Sequence, residues 1–121
     1  MPYQQKTVLV VDDQQTMLDL FAKIFSTRGY RVLKALNGEE ATSLLNQGVD
    51  LMVTDISMPG LKGLDLADLA RVNFHIPVII ITGVKAYTPE IVLSHCDRFF
   101  QKPVRPGDLL TAAEDLEKIS K

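Results

Sequence analysis

The run Val78-Ile79-Ile80-Ile81-Thr82 narrows the folds open to this 121-residue chain more than any other stretch. Four consecutive apolar β-branched residues cannot line a strand that shows one face to water, so such a strand must be covered on both faces. Thr7-Val8-Leu9-Val10-Val11 has the same unalternated character, and so does the shorter Leu51-Met52-Val53. Each run ends in a polar residue: Asp12 followed by Asp13, Asp55, and Thr82. Leu51 to Val53 belong in a core, whereas a carboxylate at a strand end must be solvated, paired or bound to a metal. Asp55 is therefore the first residue to examine for chemistry.

Between the strands the apolar spacing becomes helical. Met17, Leu18, Phe21, Ile24 and Phe25 share one face of a helix that begins at Gln15, with Gly29 as its stop. Tyr30 to Leu36 fits a second strand, Asn37-Gly38 a turn, and Glu39 to Asn46 a helix carrying Ala41, Leu44 and Leu45 and closed by Gly48. Leu64, Leu66, Ala67, Leu69 and Ala70 make a third amphipathic helix. Thr88-Pro89-Glu90 supplies an N-cap, a first-turn proline and an acidic first turn for a short helix. Arg98 to Gln101 reads as a fifth strand finished by Lys102-Pro103, and Pro106 to Ile119 as a last helix with Leu109, Leu110, Ala113, Leu116 and Ile119 on its apolar face. Five strands alternating with five helices imply α/β architecture, a single parallel sheet doubly wound by helices, because each parallel pair needs a crossover. Ligands of such sheets bind beyond the carboxyl ends of the strands.

A chain of this length closes a core without disulfides, and no linker or repeat divides it, so residues 1–121 are expected to form one domain with its core from about 6 to 120. The net charge of -2 gives no general case for nucleic acid or an anionic membrane. Cys96 is the only cysteine, and the apolar run after Lys6 is too short for a leader or a membrane span. These features lead us to expect a cytoplasmic domain.

Three carboxylates at adjacent strand ends repel: two unit charges about 4 Å apart cost roughly 4 kcal/mol at an effective dielectric near 20. A hard divalent ion with oxygen ligands, Mg2+ or Mn2+, offsets that, and Lys102 can add a second positive charge. A carboxylate, a metal, a lysine and a hydroxyl are the parts needed for phosphoryl transfer, with Asp55 as nucleophile, Lys102 neutralising phosphoryl oxygens and Thr82 donating a hydrogen bond.

Asp12-Asp13, Asp55-x-x-Met58-Pro59-Gly60-x-x-Gly63, Thr82 and Lys102-Pro103 resemble the receiver domain of two-component response regulators over nearly the whole chain. The resemblance implies a flavodoxin-like fold of sheet order 2-1-3-4-5 and phosphorylation of Asp55 by a histidine kinase or phosphotransfer protein. It implies Mg2+ held by Asp13, Asp55 and the backbone carbonyl of Ser57, with Asp12 helping mainly through water. It also implies a switch pair of Thr82 and Phe99, leaving Phe100 to face the opposite core. The domain would then be a phosphorylated signalling module rather than an enzyme proper, although it assists its own phosphoryl transfer and dephosphorylation. The segment from Gly83 to Asp97 departs from the family pattern, being short and carrying Pro89. This bears on the face of the fourth helix, fifth strand and fifth helix, where receivers meet output partners or form phosphorylation-dependent dimers. We expect a Gly83-hinged loop there, and we expect Ser57 and Val84 to govern water access to the acyl phosphate.

Three other functions compete. A Mg2+-dependent aspartyl-phosphate phosphohydrolase usually needs a second acid two residues past the nucleophile, where this chain has Ser57. A flavodoxin-like cofactor binder needs a phosphate loop where this chain has Asp12-Asp13. A receiver-like docking module that is never phosphorylated would not need all five site positions. His75 and the pair His95-Cys96 have no metal-ligand company in the sequence, and Arg98, Lys102 and Arg105 lack the interleaved aromatics of a nucleic-acid patch.

Overall fold

The structure, a computed structural model, describes residues 5–55, 63–83 and 89–119. In chain order the elements are β1 (Thr7–Val11), α1 (Gln15–Thr27), β2 (Arg31–Ala35), α2 (Gly38–Leu44), β3 (Leu51–Thr54), α3 (Gly63–Phe74), β4 (Val78–Thr82), α4 (Pro89–Leu93), β5 (Arg98–Gln101) and α5 (Pro106–Ile119). Four helices have seven residues or more, and α4 has only five.

The strands form one sheet of order β2-β1-β3-β4-β5, parallel throughout. The three unalternated apolar runs, β1, β3 and β4, occupy its centre and are buried at every position. The edge strands β2 and β5 are partly exposed, as their mixed sequences require. Alternation along the strands sorts the core into two layers. Leu9, Val11, Met52, Val78 and Ile80 pack with Ala41, Leu66, Ala67, Ala70 and Val92 of α2, α3 and α4. Val8, Val10, Leu51, Val53, Ile79 and Ile81 pack on the other side with α1 and α5.

Sequence and structure part in small ways. The second strand is one residue shorter at each end than Tyr30 to Leu36. Helix α2 starts one residue earlier than expected and stops two earlier. Its start is fixed by Asn37, whose Oδ1 accepts the Glu40 amide at 2.8 Å while Glu40 Oε1 accepts the Leu36 amide at 2.8 Å. This is a reciprocal cap of the capping-box kind. Its end tightens as the amides of Leu45 and Gln47 donate three residues back before Gly48 turns at φ +75°. Leu45 is buried although it lies past the helix, so its apolar character marks the core rather than the helix.

Two aspartates stitch the amino end of the sheet. Asp50, just before β3, accepts the Thr7 amide on Oδ2 at 2.8 Å and donates its own amide to Thr7 O at 2.8 Å. Asp97, just before β5, does the same with Val78, at 2.8 and 2.9 Å. Each carboxylate thus extends a parallel ladder by one residue. Helix α5 is tied to the opposite end of the chain through Arg28–Glu114 at 2.8 Å and through the Tyr30 hydroxyl, which donates to Glu117. The Tyr30 ring meets Phe25 edge-on, centroids 5.2 Å apart. On the other face, the chain leaving α4 is tied to α3: His95 Nδ1 lies 2.8 and 2.9 Å from the two oxygens of Asp68, and Arg71 donates to Ser94 O at 3.4 Å.

Candidate functional site

The sheet order places the ends of β1, β3, β4 and β5 side by side, and the polar residues that close those strands converge there. Asp12 follows β1, and its amide donates to Ala35 O of β2 at 3.2 Å. Its side chain is almost fully enclosed, 1% exposed, and Oδ1 accepts the Gln14 amide at 2.9 Å as the chain turns into α1. Asp55 follows β3 and is 7% exposed, and its amide donates to Val11 O at 3.2 Å. Asp13 lies beside them and is exposed, and carboxylate oxygens of Asp12, Asp13 and Asp55 lie within 4.8 Å of one another.

Lys102 reaches this cluster from beyond β5. Its amide donates to Thr82 O at 2.9 Å, which fixes its backbone against the end of β4. Its Nζ sits 3.1 Å from Asp55 Oδ2 and 3.3 Å from Asp12 Oδ2. Burial pushes the Asp12 carboxyl above the usual carboxylate range and repulsion from Asp55 adds to this, while the Gln14 amide and Lys102 hold it back. Burial pulls the Lys102 ammonium down, but the hydrogen bond and charge of Asp55, with the charge of Asp12, outweigh it, and the net shift is upward. One tethered ammonium against three carboxylates leaves negative charge uncompensated, and the oxygen-only donor set with an exposed side at Asp13 suits a hard divalent cation. Such a cation would be held by Asp12, Asp13 and Asp55 among the described residues.

Thr82 closes β4 and is wholly buried. By alternation it shares a sheet face with Ile80, and Phe99 packs half-buried on that same face. Phe100 packs in the opposite layer, as expected. Gly83 borders the Lys102 stem, and a Cβ there would lie 4.0 Å from Lys102 Cδ, so contact alone does not demand glycine. Ser57, Val84 and most of the expected Gly83 loop lie outside the described residues.

Several features had no signal in the sequence. His95, without evident company in the chain, faces Asp68 across 27 residues. His75, the residue after α3, stands at φ +55° and, with Arg71, Ile76, Pro77 and Asp97, lines a shallow cleft of about 210 Å³ at the amino end of the sheet. Cys96 is buried, and burial together with the Asp97 charge raises its thiol to about 11, so it is neither a ready nucleophile nor a ligand. Arg98 pairs with Asp115 of α5 at 3.7 Å.

A doubly wound parallel sheet with three carboxylates and a lysine at its carboxyl edge defines a flavodoxin-like domain with an acidic pocket. Residues 8–114 match the family model of the response regulator receiver domain, and the chain belongs to that family. It is 33% identical over 113 residues to the response regulator SaeR of Staphylococcus aureus, an alignment covering 90% of this chain and 49% of that protein. The chain thus spans about half the length of the curated relatives it matches. A CheY-like receiver domain from Methanospirillum hungatei superposes with TM-score 0.88 at 26% identity, covering 97% of both chains. Response regulator TrrA of Thermotoga maritima, solved in complex with Mg2+-BeF, superposes with TM-score 0.84 at 30% identity over 93% of this chain and 99% of that one. The domain is therefore a signalling domain of the response regulator kind, which favours this reading over the hydrolase, the cofactor binder and the unphosphorylated docking module. Among the described residues no helix is long and apolar enough to cross a membrane.

Proposed function

We propose that Asp55 is the phosphoacceptor of a receiver unit spanning residues 1–121. The observation that carries this is the Asp55 carboxylate itself, enclosed at a strand end, 3.1 Å from the Lys102 ammonium and within one oxygen cluster with Asp12 and Asp13. An Asp55 oxygen forms the new bond to phosphorus as the bond from phosphorus to the donor's leaving group breaks, giving a mixed acyl phosphate. Lys102 holds Asp55 in place and then shifts its ammonium towards the phosphoryl oxygens, where charge must be neutralised. Thr82 donates its hydroxyl to the attached group, and Phe99 follows Thr82 on the shared face. Mg2+, or Mn2+, supplies charge neutralisation at the phosphoryl oxygens when bound, and the acidic donor set and the Mg2+-bound Thermotoga relative support its presence. Asp13, Asp55 and the Ser57 carbonyl are the proposed direct ligands, with Asp12 acting through water. In this reading the domain assists its own phosphorylation and dephosphorylation. Its donor is a histidine kinase or phosphotransfer protein in the cytoplasm, and the α4-β5-α5 face meets an output partner or a second phosphorylated copy.

Intact mass after incubation with acetyl phosphate and Mg2+ tests the core of this reading. A single labile phosphoryl adduct on wild type, lost with Asp55→Ala and with EDTA, is the expected result. An adduct that survives Asp55→Ala, or none on wild type from either acetyl phosphate or a phosphorylated histidine donor, overturns it.

A further inference from the structure

We propose that Thr54 is a positioning residue that sets the direction of the Asp55 side chain through the Asp55 backbone carbonyl. Thr54 is the last residue of β3, stands in register between Val11 and Ile80, and is 1% exposed. Its registered neighbours are both buried and apolar, so packing alone favours an aliphatic residue here. The buried hydroxyl instead donates to the backbone oxygen of Asp55 at 3.1 Å. The Asp55 amide is already held by Val11 O at 3.2 Å. The peptide groups on both sides of the Asp55 Cα are thereby fixed, one by the neighbouring strand and one by Thr54. Once both are fixed, tetrahedral geometry leaves the Cα–Cβ bond one direction, and from that base the side-chain rotamer places Oδ2 3.1 Å from Lys102 Nζ.

The hydroxyl is needed at this position because β3 stops. The last β3–β4 register pair is Thr54 with Ile80, and the chain departs from the sheet at Asp55. A nucleophile at the first residue past a strand would otherwise be held by the sheet on its amino side only. A misplacement of about 1 Å costs on the order of 100-fold in a reaction that depends on alignment. Thr54 does not touch the phosphoryl group, and it acts only through Asp55.

This inference rests on Asp55 being the phosphoacceptor, and its test separates the two. Thr54→Val keeps the shape and removes the hydroxyl, Thr54→Ser keeps the hydroxyl, and Thr54→Ala serves if valine prevents folding. Rates of adduct formation against acetyl phosphate concentration are measured with Mg2+, alongside melting temperature and Mg2+ affinity by calorimetry. We expect Thr54→Val to lower the maximal rate about tenfold with little change in the half-saturating donor concentration, and to weaken Mg2+ several-fold. Thr54→Ser restores both. A wild-type maximal rate and Mg2+ affinity in the valine variant overturn the proposal, as do losses that follow melting temperature across the three variants regardless of hydroxyl. Should wild type form no adduct, the phosphoacceptor reading fails by itself, and the Mg2+ affinities of the valine and serine variants still decide the role of Thr54.

Discussion

The two ends of one sheet use aspartate in opposite ways. At the amino end, Asp50 and Asp97 each take up a backbone amide of the neighbouring strand and extend its ladder, and Asp97 is also paired with Arg71 Nε at 3.6 Å. At the carboxyl end, Asp12 and Asp55 have their own amides satisfied by β2 and β1, and their carboxylates converge on a single lysine with Asp13 alongside. The same residue type at a strand terminus is thus a splice at one end and a charge reservoir at the other. What separates them is the company: Asp12 also accepts an amide, from Gln14, but only at the carboxyl end do carboxylates crowd one another and become available to a cation.

Substitution at the two ends should therefore give opposite signatures. The largest effect is expected from Asp12→Asn, which lowers Mg2+ affinity about 10- to 100-fold, the range for an outer-shell partner. Because burial raises the Asp12 pKa, the folded state carries that charge at a cost the unfolded chain does not bear, and the neutral amide leaves the metal-free melting temperature at or above wild type. Calorimetric Mg2+ titration beside a thermal melt reads both quantities. A strongly destabilised Asp12→Asn would erase the distinction between the ends.

Asp50→Ala and Asp97→Ala come next, each expected to cost about 1 to 2 kcal/mol in urea unfolding, since a charge-assisted bond to a half-buried amide is lost. Their Mg2+ affinity stays at the wild-type value. If either weakened the metal site, the two ends would be coupled through the sheet rather than independent. The smallest effect is on the alkaline limb of stability. The raised Lys102 pKa gives a contribution that is full below its unfolded value of about 10.4 and is lost as pH rises through the folded value. Between about pH 8 and pH 11 the urea midpoint of wild type should fall further than that of Asp55→Asn, in which the main support of that shift is gone.

The carboxyl end was the more legible of the two in the sequence. Asp12, Asp55, Thr82 and Lys102 each close an unalternated or aromatic run, so their placement follows from where burial stops, and parallel winding gathers strand ends on one side. The central strands were plain for the same reason, since neither of their faces can meet water. Leu45 misled because burial continues past the helix that carries it. The stitches made by Asp50 and Asp97 were hidden because their partners are backbone amides, which have no identity in a sequence. The His95–Asp68 contact was hidden because it depends on how α3 packs beside the chain that follows α4. Thr54 gave no signal either, since its partner is the carbonyl of the very next residue and a threonine in a strand is unremarkable.

The tie between Tyr30 and Glu117 also gives the molecule an optical handle. The chain has no tryptophan, and Tyr30 is the one tyrosine among the described residues, set in an asymmetric environment between the Phe25 ring and a carboxylate of α5. In a variant with Tyr3 and Tyr87 replaced by phenylalanine, its near-ultraviolet circular dichroism reports whether the last helix is docked on the first, without a label and on the α1–α5 side of the sheet, away from Thr82 and Phe99. A ligand that perturbs that band has moved the helical layer behind the pocket, whereas one that leaves it silent has acted at the strand ends alone.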